Sequence, residues 1–155
     1  MKKSMPMHTH AYAKLAAMMV LSFLAMYALM YAMVDRFANV FPNFNQFYMA
    51  GLMTAPMLML EVVLMGAMYE RKALNVALAA LGAVALLAFW FLIRQQVAIT
   101  DTQFLKSMIP HHAGAILMCE RASLTDPRIV ELCRTIVAGQ QAEIDQMKAI
   151  LQTPR

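Results

Sequence analysis

Residues 104–119 read FLKSMIPHHAGAILMC. Met108, His111, His112 and Cys119 crowd together here, with Met118 beside them. Wound as a helix, at about 100° per residue, the stretch puts Met108, His112, Ala115 and Cys119 on one stripe. His111 and Met118, seven apart, form the neighbouring stripe. One helix therefore offers Met, two His and Cys within roughly a third of its circumference. Side chains three or four apart can share an ion. Thioether and thiolate sulfur select soft ions such as Cu(I), and imidazole suits Cu, Zn, Fe and Ni. Two adjacent His cannot both face one core point, so a purely structural reading of the pair is strained.

Working outward, Thr100-Asp-Thr-Gln103 fits a capping box, and a helix is expected to start there and end near Leu124. Pro110 inside it removes a backbone bond and is expected to bend the helix just before the His pair. Asp126 with Pro127 reads as the cap and first position of a second helix running to about Leu151. In that helix Ile129, Cys133, Ile136, Gln140, Ile144, Met147 and Leu151 share a stripe. Folded antiparallel about Asp126, the pair sets His112 against Gln140 and Cys119 against Cys133. Gln140 would then orient the imidazole. The cysteine pairing favours a disulfide clamping the hairpin. A reduced Cys119 joining the metal site is the alternative. Two amphipathic helices leave an apolar stripe uncovered, so a homo-oligomer is expected, a dimer completing a four-helix bundle.

The preceding part is a membrane anchor by composition. Hydrophobic residues make up 61% of the 155 and charged ones only 14%, too apolar for an ordinary soluble domain. Leu15 to Val34 and Ala73 to Ile93 carry no charge, and Phe47 to Tyr69 carries only Glu61. Each is long enough to cross the roughly 30 Å hydrocarbon layer, and the first is read as a retained span rather than a signal peptide. The expected fold is all-α: three transmembrane helices (15–34, 47–69, 73–93) in a domain over 1–99, then a helical hairpin domain over 100–155. Lys2, Lys3, Lys14, Arg71 and Lys72 fall on one side of such spans; Arg36, Arg94 and Lys106 fall on the other. The bias puts the N-terminus in the cytoplasm and the hairpin outside. Glu61 reads as an acid near the middle of span two, either protonated or bonded to Tyr27, Tyr31, Ser22 or a freed backbone group. The 17 Met residues include stripes on the first two spans (Met19, Met26, Met30, Met33; Met49, Met53, Met57), read as helix interfaces before any ion path. Residues 101–155 hold six basic and six acidic side chains, which argues against a nucleic-acid partner.

The pattern Phe104-Leu-x-x-Met108-Ile-x-His111-His112-x-x-Ala115-Ile116-x-Met118, then Pro127, then Ile136-x-x-x-Gln140-x-x-Glu143-Ile144-x-x-Met147, resembles the family called domain of unknown function 305. The resemblance covers residues 101–151 and implies a ferritin-like helical fold. The three spans are similar to the membrane-anchored bacterial form of the family, which implies an inner-membrane protein with its C-terminal domain facing the periplasm. Relatives associated with copper or silver outside the cytoplasm imply Met108, His111, His112, Met118 and Met147 as ligands. Gln140 and Glu143 become supports or polar ligands.

The reading that joins these features is a membrane-anchored protein sequestering or handling copper, as Cu(I) or Cu(II), or silver. Its partners would be the lipid bilayer, a second copy of itself and copper-handling proteins. No enzyme activity is expected: di-iron bundles need several Glu with Glu-x-x-His pairs, and neither Glu120 nor Glu143 begins one. A structural or oligomerisation subunit without metal is the alternative. A metal transporter, resting on Glu61 and the Met stripes, is the weaker one.

Overall fold

The computed structural model describes residues 7–153, so Lys2 and Lys3 lie outside the described residues. Within them the chain is helical, with no strand. Five α-helices follow in order: α1 (Met7–Leu29), α2 (Phe44–Leu64), α3 (Lys72–Arg94), α4 (Asp101–Arg121) and α5 (Pro127–Gln152). The chain forms two compact units. The first takes in the chain through Leu29 and Phe47–Val97; the second joins Met30–Gln46 to the chain from Ala98 onward. Sequence alone divides the chain near residue 99. The contacts add residues 30–46 to the C-terminal unit.

His10–Met33, Phe44–Leu64 and Lys72–Arg94 are long and apolar enough to cross a membrane. Their outward residues, among them Leu21, Leu24, Val84, Leu87 and Trp90, are exposed, as expected of faces solvated by lipid tails. Small residues set the helix spacing. Gly51 lies against the Phe89 ring, and a Cβ on Gly82 would stand 2.6 Å from Met59 Cγ and 3.1 Å from the Ala55 carbonyl. The ring of Phe47 lies 5.0 Å from Phe23 and 6.3 Å from Phe89. Phe89 thus turns inward, while Trp90 and Phe91 remain exposed.

The second span is shorter than its apolar run suggests. The helix stops at Leu64, and a 3₁₀ turn, Gly66–Met68, starts the link to α3. Glu61 therefore sits in the last turn of α2 rather than mid-span. Its hydrogen-bond donor is the Tyr69 hydroxyl, at 3.1 Å. Tyr31, an expected partner, donates instead to the Phe41 carbonyl at 2.9 Å.

The second unit is built on α4 and α5, with Ile109, Ala113, Ile116, Ile144 and Met147 buried between them. Thr100 caps α4 by accepting from the Gln103 backbone N–H. The reciprocal half of the expected capping box is absent: Gln103 Oε1 accepts from the Phe44 N–H at 3.0 Å. Helix α4 ends at Arg121, three residues early. Asp126 caps α5 and Pro127 occupies its first turn.

Residues 30–46 form a strap along this helix pair. Val34 and Phe41 pack on the apolar core. Asn39 is buried; its amide nitrogen donates to Asp35 at 2.6 Å and its amide oxygen accepts from Lys148 Nζ at 2.6 Å. The strap also explains how α4 tolerates Pro110. A proline cannot donate to the carbonyl four residues back, here Lys106, and Asn43 Nδ2 reaches that carbonyl at 3.4 Å. The helix runs unbroken through Pro110.

Candidate functional site

His112 lies on the buried face of α4, between Ile109 and Ile116 and beside Ala113 and Gly114. The small neighbours leave room for the strap: a Cβ on Gly114 would lie 3.4 Å from the Met33 carbonyl. His112 is 7% exposed, and burial obliges its ring nitrogens to find partners. Nδ1 lies 2.9 Å from the Met108 carbonyl. Nε2 lies 2.5 Å from Glu143 Oε2, across on α5.

These partners constrain the protons. A carbonyl only accepts, so Nδ1 carries hydrogen. The tautomer is assigned from this bonding. Nε2 then faces a carboxylate at a distance that requires one proton between them, held on either side. A ring whose Nδ1–H is fixed by a backbone carbonyl is the usual arrangement of a histidine that offers Nε2 to an ion.

Glu143, rather than Gln140, takes the imidazole. Gln140 is half-buried one turn earlier on α5. The cysteine register agrees with the sequence expectation: Cys119 and Cys133 are joined, with Cα atoms 5.3 Å apart, inside the range a disulfide spans. Joined to Cys133, Cys119 offers no thiolate to a metal.

The expected ligands divide into two groups. Met147 is buried in the core and Met108 packs against it. His111 and Met118 are exposed, and the His111 and His112 ring centroids are 6.2 Å apart. Among the described residues, no three His, Cys, Asp or Glu side chains form a group able to hold a metal ion. His112 and Glu143 are a pair of donors, not a closed cage. Helix register points to Gln140, one turn away, while the resemblance also puts forward Glu143, which is the direct partner; sequence reasoning missed Tyr69 as the partner of Glu61. Position on the flank of the α5 stripe was the signal for Glu143.

An uncharacterized protein of Acanthamoeba polyphaga mimivirus is 31% identical over 137 residues, covering 86% of this chain and 88% of that one. No solved structure matches. The family described as Domain of unknown function (DUF305) matches residues 62–151. That match begins in the last turn of α2, runs through α3 and α4, and includes both His112 and Glu143, so the chain belongs to the DUF305 family.

Proposed function

We propose that the chain is a membrane-anchored metal-binding protein that sequesters or hands on copper or silver outside the cytoplasm. The observation that carries the reading is the His112 ring, held through Nδ1 by the Met108 carbonyl and facing Glu143 through Nε2. A metal ion bound there would be held by the His112 imidazole and the Glu143 carboxylate. Imidazole with carboxylate suits Cu(II), and the Met108 and Met147 thioethers beside the core suit Cu(I) or Ag(I). Two donors do not satisfy such an ion. The remaining ligands come from the exposed His111 and Met118 or from a second copy, whose pairing would turn the antiparallel α4–α5 hairpin into a ferritin-like four-helix bundle.

Three apolar helices support a multi-pass membrane location, which the resemblance makes a bacterial inner membrane. The strap and the helix pair belong to one compact unit, and two candidate spans separate them in the chain. That parity supports both lying on one face, with the residue 65–71 link on the other. The positive-inside bias makes that one face the outer face.

The test is titration of the full chain in detergent with Cu(I) against a competing chelator, and with Ag(I) and Zn(II) in parallel. The same titrations are run on His111→Ala/His112→Ala and on Glu143→Gln. Stoichiometric Cu(I) or Ag(I) binding, lost in the double variant and weakened in Glu143→Gln, is expected. Binding unchanged by both variants moves the ion elsewhere. No binding by folded wild type leaves the second reading, a structural subunit. That no three His, Cys, Asp or Glu side chains gather among the described residues favours that reading.

A further inference from the structure

At one end of the first unit, the start of α1, the end of α2 and the start of α3 are tied by a chain of polar contacts. The Tyr12 hydroxyl donates to Asn75 Oδ1 at 2.8 Å and accepts from the Arg71 backbone N–H at 3.3 Å. Asn75 Nδ2 donates to the Tyr69 carbonyl at 2.8 Å, and the Tyr69 hydroxyl donates to Glu61. The Tyr12 and Tyr69 rings lie 5.2 Å apart. The contacts fix three helix ends and bring two features side by side.

The first is an apolar groove of about 460 Å³, lined by Tyr12, Leu15, Met19, Leu58, Leu74 and Leu78. From Tyr12 to Met19 it follows α1 for on the order of 10 Å, leading from the polar end into the apolar length of the helices. The second is a pair of cations at its polar end. The Arg71 backbone N–H bonds the hydroxyl of Tyr12, a lining residue, and Arg71 and Lys72 lie just before Leu74 in the chain. Both are exposed. Glu70 is the exposed acid of the same link, and the Glu61 carboxylate is taken up by the Tyr69 hydroxyl.

We infer that this end of the first unit binds an anionic glycerophospholipid, the phosphate on Arg71 and Lys72 and an acyl chain in the groove beneath Tyr12. An apolar trough between helices that cross a bilayer is filled by lipid tails in any case. The adjacent cations make the site selective for an anionic headgroup, as basic pockets between membrane helices do. The inference requires only that α1–α3 span the membrane and is independent of any metal on α4.

The experiment is native mass spectrometry of the full chain released from detergent, titrated with phosphatidylglycerol or with phosphatidylcholine of the same acyl chains. Wild type is expected to retain phosphatidylglycerol at least tenfold better. Each cation near a membrane surface contributes about fivefold, so Arg71→Gln/Lys72→Gln should bring the two lipids close to equality. Ala16→Phe, an exposed groove position, should reduce phosphatidylglycerol retention with every charge in place. Glycerol phosphate, a headgroup without tails, should not displace the lipid. Equal retention of the two lipids by wild type, indifference to either variant, or displacement by glycerol phosphate overturns the inference. All substituted side chains are exposed, so the variants should keep wild-type helicity and the Cys119–Cys133 bond.

Discussion

His112 holds two elements through one ring. Replacing it with alanine removes a bond to the Met108 carbonyl and a charge-assisted bond to Glu143. The Glu143 side chain is 57% exposed, so water can take over its carboxylate. The expected loss is about 2 kcal/mol, read by thermal unfolding of the full chain in detergent. Glu143→Gln should lose less, because an amide still bonds the ring. A His112→Ala chain as stable as wild type would deny the ring any structural part. Asp126 gives a pH dependence at the same scale. The Arg128 side chain and backbone N–H bond its carboxyl and hold it below the ordinary carboxylate value. Stability from the charged cap is therefore present above the unfolded-state pKa and fades as pH falls through the lowered folded value. The stability gap between wild type and Asp126→Ala should be full at neutral pH and shrink in acid; a gap constant down to strong acid would contradict the assignment.

The elements were legible wherever local chemistry decides them. Thr100, Asp126 and Pro127 announce two helix starts through their preferences for caps and first turns, and long apolar runs announce three helices able to cross a membrane. Tertiary contacts decided the rest. Pro110 reads as a lost backbone bond, and the sequence around it does not reveal that Asn43, 63 residues before Lys106, bonds the freed carbonyl. Glu61 reads as mid-span because hydropathy continues past Leu64, where the helix stops. The cysteines meet as expected, yet one turn of register decides whether His112 meets Gln140 or Glu143, and stripe periodicity does not resolve one turn. Gly82 carries a prediction of its own. A methyl there would press on Met59 and on a backbone carbonyl, so Gly82→Ala should lower stability by about 1–3 kcal/mol, measured as a drop in the thermal midpoint in detergent. At Gly66 an added methyl would meet nothing within 4 Å, so the same change there is the control and should be tolerated.

At the scale of the molecule, the second unit is closed by two devices, a covalent one and a polar one. The disulfide joins residues 14 apart. Cross-linking a loop of that size should contribute about 3 kcal/mol through the unfolded chain. Cys119→Ser/Cys133→Ser should lose a comparable amount, checked by unfolding wild type and variant side by side without reductant. Adding reductant should bring wild type toward the variant; coincident curves throughout would show that the bond adds nothing. The polar device is the strap, and its bonds span long stretches of sequence: Lys148 follows Asn39 by 109 residues. Synthesis adds about 5–20 residues per second, so the Asn39 carboxamide leaves the ribosome roughly 5–20 s before the ammonium that will bond it. Throughout that interval α2 and α3, both long and apolar enough to cross a membrane, are made while the strap waits for its partner. The second unit is thus completed only once the last turns of α5 have been made.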